Sequence, residues 1–340
     1  MRGEWQVKFP IRLLAALSLA ASTILSLPAW AQLAAPVSAQ PYAAPDRELM
    51  VPVEGGRVYV RVNGVIGKGA VPVIFIHGGP GGTHNGFAGM LGLADERPVI
   101  LYDQLDSGRS DRPNDPANWR VERFVSELES IRQALGVKRW HIVGHSWGSA
   151  IALEYAARYP DHVASTVLAG TYISTPRWIA DANALLTELP QAVRETIAAC
   201  EGKVPPPASD CDAATEVFYA NFNRREPASP ELIAYVRSIG GHGFNPVIYN
   251  AMWGPSEVRS TGSLKDYDAV KLLAKIDGAR TMFMVGQYDE ARIDTVQDFA
   301  RQTPGSELAV VPGAAHGMIT DRPVATEAIL RGWFRRHDGE

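Results

Sequence analysis

The fold is decided by the stretch Trp140-His141-Ile142-Val143-Gly144-His145-Ser146-Trp147-Gly148-Ser149. Its first four residues predict a buried strand, and the pattern of residues 150–159 predicts a helix. The order strand, G-x-S-x-G, helix is typical of a nucleophile elbow. Gly144 and Gly148 allow a tight turn because neither carries a Cβ atom. We therefore predict Ser146 at the apex; a plain Gly/Ser turn is the alternative, since the bare motif also arises by chance.

Strand-like and helix-like segments alternate on both sides of this stretch. A hairpin is predicted over residues 47–53 and 58–62, because two β-rich runs flank a Gly-Gly turn. Further apolar strands are predicted at residues 71–76, 98–102, 165–169, 281–285 and 308–311. Helical spacing at residues 120–136 and 324–336 predicts two amphipathic helices. Such alternation predicts an α/β fold with a mostly parallel sheet and helices on both faces.

The alternation stops between residues 172 and 262. This region carries helical patterns without a buried strand, at residues 180–189, 192–199, 213–222 and 231–239. We predict an inserted helical cap over the C-terminal edge of the sheet, which divides the core into residues 46–171 and 263–340.

A glycine-rich loop, His77-Gly78-Gly79-Pro80-Gly81-Gly82, follows the first buried strand. In hydrolases with a G-x-S-x-G elbow, the loop after this strand donates an N–H group to the oxyanion. We assign the two donors to the amides of Gly79 and Trp147. A phosphate-binding loop is the alternative, but no G-K-[ST] follows and the spacing is not G-x-G-x-x-G.

A serine nucleophile needs a base and an acid that orients the base. Asp289 and His316 follow the last two predicted strands, where catalytic groups of open α/β sheets lie. The order Ser146, Asp289, His316 is the order expected for a hydrolase triad. The chain has eight histidines. Three rivals lie on or beside strands before Ser146, namely His77, His141 and His145, and His337 lies in the tail. Other aspartates lie before the penultimate strand or farther beyond it: Asp266, Asp268, Asp277 and Asp294.

Four motifs together resemble the proline iminopeptidases, which are α/β-hydrolase serine aminopeptidases. They are H-G-G-P-G-G at 77–82, D-Q-x-x-x-G-R-S at 103–110, G-H-S-W-G-S at 144–149 and G-x-Y-D-E at 286–290. The likeness runs from about residue 47 to residue 336, and is also found with the tricorn-interacting aminopeptidase and the L-amino-acid amidases. It implies the α/β-hydrolase fold with an inserted cap. One departure is Asp106, where the family usually has glycine; this change re-forms the loop or alters the wall of the active site.

The resemblance also implies how the substrate is bound. These enzymes hold the substrate α-ammonium with carboxylates, which correspond here to Glu257 in the cap and Glu290 beside the triad aspartate, with Tyr249 as a pocket neighbour. The physics agrees, because a buried ammonium without a carboxylate partner is costly. A solvated surface position is the alternative for Glu257. The resemblance does not establish a preference for proline.

The N-terminus has the pattern of a secretory signal peptide. Arg2, Lys8 and Arg12 precede an apolar run at 13–27, and Ala29-Trp30-Ala31 follows. We predict cleavage after Ala31, then a flexible leader over residues 32–45, and hence a periplasmic or secreted protein without a stable membrane anchor. A transmembrane anchor is the alternative, but spanning needs about 20 apolar residues.

Cys200 and Cys211 are the two cysteines of the chain. In an exported protein, such a pair is most simply a disulfide that closes a small loop. Free thiols are the alternative, and a zinc site is not indicated because no second Cys or His pair lies nearby.

These patterns predict a serine aminopeptidase that acts on short peptides or amino-acid amides through an acyl-enzyme. The predicted mechanism needs no metal or cofactor. A net charge of −4 without blocks of like charge gives no sign of a nucleic-acid partner. An esterase or lactonase with the same triad is the alternative, in which Glu257 and Glu290 would be dispensable. A binding protein on an inactive hydrolase scaffold would lack a triad member, and epoxide hydrolases and dehalogenases carry Asp at the elbow. The oligomeric state stays open.

Overall fold

The computed structural model describes residues 42–239 and 243–339. The predicted signal peptide, its cleavage site and most of the predicted leader therefore lie outside the described residues. Within the described ranges, no helix is both long enough and apolar enough to cross a membrane.

An eight-stranded sheet forms the centre of the molecule, with the strand order β1-β2-β4-β3-β5-β6-β7-β8. The strands are β1 Arg47–Val53, β2 Gly56–Asn63, β3 Val73–Ile76, β4 Val99–Tyr102, β5 Trp140–His145, β6 Val163–Ala169, β7 Thr281–Gly286 and β8 Glu307–Val311. β1 and β2 are a hairpin, β2 pairs with β4 antiparallel, and all other pairs are parallel. The predicted α/β fold with a mostly parallel sheet is confirmed.

Helices cover both faces of this sheet. Those outside the cap are α1 Val121–Leu135, α2 Trp147–Arg158, α8 Ile293–Arg301, α9 Met318–Asp321 and α10 Pro323–His337. β3, β4 and β6 are buried along their whole length, as strands covered on both faces must be. α1 shows how the sequence sets a helix: its apolar residues face the core, and Gly136 ends it in the left-handed conformation with φ 65°.

Between β6 and β7 lie the cap helices α3 Thr175–Leu186, α4 Gln191–Cys200, α5 Ala208–Phe222, α6 Pro230–Ser238 and α7 Pro246–Met252. Part of the cap has its own apolar cluster, formed by Ala182, Leu185, Leu189, Ile197, Ala214, Phe218 and Phe222. A disulfide joins Cys200, at the end of α4, to Cys211 in α5.

The helix boundaries differ from the sequence expectation in the cap. α3 begins at Thr175 and α5 at Ala208, several residues before the predicted starts, because polar first turns hide a helix from an apolar pattern. α7 was not predicted, since its seven residues are too few to show periodicity. It begins after Asn245, whose side chain accepts a hydrogen bond from the Val247 amide.

The loops after β3, β5, β7 and β8 leave the sheet at its C-terminal edge and meet there. They carry residues 77–82, Ser146, residues 287–290 and residues 312–317, respectively. Cap residues from α3, α5 and α7 line the same cavity as these loops.

Candidate active site

Ser146 lies in a strained turn between β5 and α2. Its backbone has φ 56° and ψ −125°, in the left-handed range that side-chain-bearing residues seldom adopt. A Cβ atom on Gly144 would lie 2.1 Å from the Gly148 carbonyl oxygen, and one on Gly148 would lie 2.0 Å from the carbonyl oxygen of Ile76. Glycine is therefore required at both positions, because a Cβ atom at either one would clash with a backbone carbonyl oxygen.

His316 and Asp289 are joined by a short hydrogen bond, with 2.7 Å between Nδ1 and Oδ1. The Asp289 carboxylate also accepts hydrogen bonds from the backbone amides of Gly286 and Ala291. Asp289 and His316 are both buried. This arrangement fixes the proton on Nδ1 and leaves Nε2 of His316 for the cavity that Ser146 also lines.

The end of cap helix α5 holds the loops that carry Asp289 and His316. The carbonyl oxygen of Phe222 accepts hydrogen bonds from the amides of Glu290, at 3.1 Å, and His316, at 3.0 Å. The next carbonyl, of Asn223, accepts one from Gly317. Carbonyls at a helix C-terminus lack partners within the helix, so these contacts satisfy them and bind the cap to the core.

The predicted oxyanion donors are placed beside Ser146. A Cβ atom on Gly78 would lie 2.8 Å from the Cβ of Ser146, so the glycine loop passes directly against Ser146. Gly79 has φ 114°, and Trp147 is the first residue of α2. Neither of their amides has a hydrogen-bond acceptor among the described residues. Two free N–H groups are thus available at this end of the sheet.

Gln104 connects the glycine loop to the elbow, a role that the sequence motif did not reveal. Its side-chain amide donates to the carbonyl of His77 at 2.8 Å and accepts from the indole N–H of Trp147 at 3.0 Å. Its own backbone amide donates to His77 Nε2. Gln104 is completely buried, so these bonds are shielded from water and keep the two oxyanion segments in register.

Asp106 has a structural role. Its backbone has φ 66°, the conformation that glycine would adopt without strain. Its buried carboxylate accepts hydrogen bonds from the Trp119 indole and the Asn114 amide, and its carbonyl accepts one from the Asn245 side chain. Asp106 is not among the described residues that line the cavity. Asp106 therefore stabilises its own loop and does not form part of the described wall of the cavity.

A cavity of about 570 Å³ contains the remaining predicted residues. Glu257, Glu290 and Tyr249 line it together with Ser146 and His316. The Tyr249 hydroxyl donates a short hydrogen bond to Glu257. Sequence reasoning missed several wall residues, because they come from separate segments and share no motif: Phe87, Tyr172, Trp178, Tyr219, Asn223, Phe244 and Trp253.

Among the described residues that line the cavity, Glu290 is a carboxylate with incomplete bonding. Its side chain is 2% exposed, and Oε1 accepts a hydrogen bond of 2.7 Å from the Asn223 side chain. The same Oε1 lies 3.6 Å from His316 Nε2. Oε2 is buried and has no hydrogen-bond partner within the described part of the chain. A buried, unpaired carboxylate oxygen is costly, which points to a ligand that supplies the missing donor.

The ionisable groups of the cavity perturb one another. Burial lowers the pKa of His316, but Asp289 and then Glu290 outweigh burial and raise it to about 9. Burial raises the pKa of Glu290, against the effect of His316 and with that of Glu257. Burial likewise raises the pKa of Glu257. Coupled groups of this kind titrate together, and the empty site retains protons that the isolated residues would release.

The four histidines weighed as rivals of His316 are held in structural bonds. His77 bonds with Gln104, and His145 donates from Nε2 to the carbonyl of His316 at 2.8 Å. Burial lowers the pKa of both to about 4, so they are neutral. His141 bonds with Ser165, and His337 with the backbone of Trp333.

Three of the acidic rivals have other partners. Asp268 and Asp277 cap backbone amides, and Asp294 pairs with Arg292. The described residues contain no group of three or more His, Cys, Asp or Glu side chains that could hold a metal ion.

Comparison with known proteins places the chain among relatives. A family model described as alpha/beta hydrolase fold matches residues 71–323. A proline iminopeptidase of Heyndrickxia coagulans is 39% identical over 83% of this chain and 96% of the relative. The solved proline iminopeptidase of Mycobacterium smegmatis has a TM-score of 0.74 and 29% identity, over 86% of this chain and 99% of that one. The crystal structure of VinJ has a TM-score of 0.78 and 28% identity, over 86% and 100%.

Proposed function

Because the chain belongs to the proline iminopeptidase family of α/β-hydrolases, we propose that it is a serine aminopeptidase that releases an unblocked N-terminal residue from short peptides or amino-acid amides. The resemblance of the sequence motifs is confirmed, and with it the expectation of a hydrolase. The observation that carries the proposal is the buried, unpaired Oε2 of Glu290 beside His316.

The chemistry would proceed through an acyl-enzyme. Ser146 attacks the carbonyl of the N-terminal residue while His316 Nε2 takes its proton, and Asp289 stabilises the resulting imidazolium. The amides of Gly79 and Trp147 bind the oxyanion, and each is worth roughly 3 kcal/mol in sites of this kind. His316 then gives the proton to the leaving amine, and water releases the acyl group by the reverse sequence.

Recognition of the free N-terminus falls to Glu290 and Glu257. An ammonium group that leaves water must be paired, and carboxylates are its strongest partners in proteins. Of the described residues that line the cavity, one is a lysine or arginine: Arg224, whose guanidinium already binds Glu216. The lining carboxylates of Glu257 and Glu290 therefore have no free lysine or arginine to pair with among the described lining residues, which favours a cationic substrate group.

The test compares amino-acid p-nitroanilides with their N-acetylated forms, for proline and a panel of small and hydrophobic residues. We expect the free forms to be hydrolysed at least about a hundredfold faster, since a charge-assisted hydrogen bond is worth about 1.5–3 kcal/mol and two carboxylates contribute. Equal rates on both forms would sink the proposal. They would favour the esterase or lactonase instead. In that case, Glu257→Gln and Glu290→Gln should both keep the activity of the wild type.

Labelling with a fluorophosphonate probe tests the nucleophile separately. The wild type should be labelled and Ser146→Ala should not, since the probe reports an activated serine. An unlabelled wild type would favour a binding protein on an inactive scaffold.

We also propose that the protein is exported and cleaved after Ala31. The basic and apolar N-terminal pattern supports export, and the disulfide between Cys200 and Cys211 fits an oxidising compartment. N-terminal sequencing of the protein from the periplasmic or extracellular fraction should begin at Gln32. A chain that stays in the cytoplasm with Met1 intact would contradict export.

A further inference from the structure

His316 lies between two carboxylates that act on different nitrogens. Asp289 binds Nδ1 at 2.7 Å, whereas Glu290 Oε1 lies 3.6 Å from Nε2. Nε2 must take the proton of Ser146, and it can do so only while it carries no proton itself. A carboxylate that faces Nε2 stabilises the imidazolium, in which this nitrogen is protonated. In the empty site, Glu290 therefore opposes the catalytic base.

No cation among the described residues around the cavity relieves this opposition. Their other ionisable groups are neutral, acidic or already paired: His77, His145, Tyr172, Tyr219, Arg224, Tyr249, Glu257 and Asp289. The single arginine among the described lining residues, Arg224, binds Glu216 at 2.8 Å and lies over the Tyr219 ring. Tyr249 already donates to Glu257, and Asn223 satisfies only Oε1 of Glu290. Oε2 of Glu290 remains without a partner within the described chain.

The imidazolium thus serves as the counter-ion of Glu290 until another cation arrives. The acidic neighbours, Asp289 first and Glu290 second, raise the pKa of His316 to about 9 despite its burial. At neutral pH, His316 without substrate therefore carries a proton that must leave before it can act as a base.

We propose that the α-ammonium of the substrate switches on the catalytic base. When it pairs with Glu290 and Glu257, it supplies the positive charge that the imidazolium supplies in the empty site. The N–H bond at Nε2 of His316 then breaks, and the proton leaves to the solvent. This inference rests on the proposed function. It gives Glu290 two tasks, since the same carboxylate binds the substrate and controls the protonation of the base.

One consequence is a double discrimination against blocked substrates. An N-acetylated substrate cannot form the ion pair with Glu290 and Glu257. It also leaves His316 protonated, so that His316 cannot take the proton of Ser146. The selectivity for a free N-terminus then exceeds what the binding energy of the ammonium alone would produce. The excess should appear in kcat as well as in KM.

The test measures the rate at which an uncharged fluorophosphonate labels Ser146, from about pH 6 to about pH 10, since labelling needs a neutral His316. In the wild type, we expect the rate to rise with pH to an inflection near 9, the pKa of His316 in the empty site. In Glu290→Gln, the inflection should move down by about one unit or more, so that labelling at neutral pH becomes about tenfold faster. The same variant should hydrolyse free aminoacyl anilides more slowly.

A matched control and a measurement without substitution keep the test independent of folding. Asp294→Asn changes an exposed carboxylate that follows the same strand, and should leave the labelling profile unchanged. Propylammonium chloride should accelerate the labelling of the wild type at neutral pH, saturably, while potassium chloride should not. Glu290→Gln should lose this acceleration.

Two results would overturn the switch. One is a wild-type inflection near neutral pH that Glu290→Gln leaves in place. The other is that propylammonium slows labelling, or leaves its rate unchanged, at concentrations at which it inhibits hydrolysis of the aminoacyl anilide. The proposed function fails by a different result, equal hydrolysis of free and acetylated anilides, and the labelling profile is read without any aminoacyl substrate.

Discussion

In the core, Ser146 occupies a turn whose backbone has no room for a methyl group at Gly144 or Gly148. In the cap, Glu257 accepts a hydrogen bond from the Tyr249 hydroxyl. Ser256 and Arg259, which flank Glu257 in the chain, bind Glu201. The core therefore positions its catalytic atoms through steric exclusion, which tolerates almost no change. The cap positions its carboxylate through a few polar contacts, which can loosen gradually. The two regions should respond to mutation with different magnitudes and in different kinetic constants.

The steric constraint around Ser146 in the core predicts the largest effect of a substitution on stability and activity. In Gly148→Ala, the new Cβ would lie 2.0 Å from the carbonyl oxygen of Ile76, so β3 and the elbow cannot both keep their places. We expect a loss of more than about 3 kcal/mol in the free energy of unfolding, as for severe overpacking, together with loss of activity. Chemical denaturation measures it.

Gly332→Ala is the matched control for this substitution, since Gly332 lies in α10 and a Cβ there meets nothing within 4 Å. It should stabilise the protein by about 0.5–1 kcal/mol, because alanine favours a helix more than glycine does. A Gly148→Ala variant as stable and active as the wild type would contradict the steric account.

The polar contacts of Glu257 in the cap predict a large effect of substitution on substrate binding, while the protein stays folded. Glu257→Gln keeps the shape of the side chain but removes its charge, so KM for free aminoacyl anilides should rise about tenfold or more. The melting temperature should change little, since the pKa of Glu257 is raised by burial and its ionised form is costly in the empty site.

Tyr249→Phe sharpens the same comparison. It removes the hydroxyl that donates to Glu257 and leaves the carboxylate in place, so its effect on KM should be the smaller of the two. A variant of Glu257 that loses kcat but keeps KM would show that this residue acts on the triad and not on the ammonium.

The disulfide should have an intermediate effect, confined to the cap. Cys200 precedes Glu201 in the chain. The Glu201 carboxylate accepts a hydrogen bond of 2.6 Å from Ser256 and also binds Arg259, and these two residues lie on either side of Glu257 in the sequence. Opening this bridge, which spans 11 residues, should cost about 2–3 kcal/mol in the stability of the cap. In Cys200→Ser with Cys211→Ser, we expect a raised KM and a kcat within about twofold of the wild type, from steady-state kinetics. An equal fall in kcat for free and blocked substrates would place the disulfide's influence on the triad.

Asp106→Gly should have the smallest effect. Glycine relieves the strain of φ 66° but loses the hydrogen bonds to Trp119 and Asn114. The relief of strain offsets only part of the lost bonding, so we expect a net loss of about 1 kcal/mol in stability and little change in activity. Asp106→Ala loses the bonds and keeps the strain, and denaturation should show it to be the less stable variant.

Local patterns predicted the elements whose cause is local. The strand before Ser146, the glycines around it and the helix after it are set by apolar periodicity and by the space a turn needs. The ends of α1 and α10 agree with the expectation within a residue or two, because a glycine and a proline mark them. The cap was predicted less well, since its polar first turns and the short α7 give no periodic signal.

By itself, the sequence determined the parallel sheet, the elbow, the order of Ser146, Asp289 and His316, and the family. These follow from residue types at short spacing, which act through nearest neighbours along the chain. Only the tertiary structure decided what Gln104, Phe222 and Asn223 do, because each acts through partners distant in the chain. Folding also brought Glu290 to within 3.6 Å of His316 Nε2 and left its second oxygen unpaired, since only folding sets the distance and the solvent exposure of a charge.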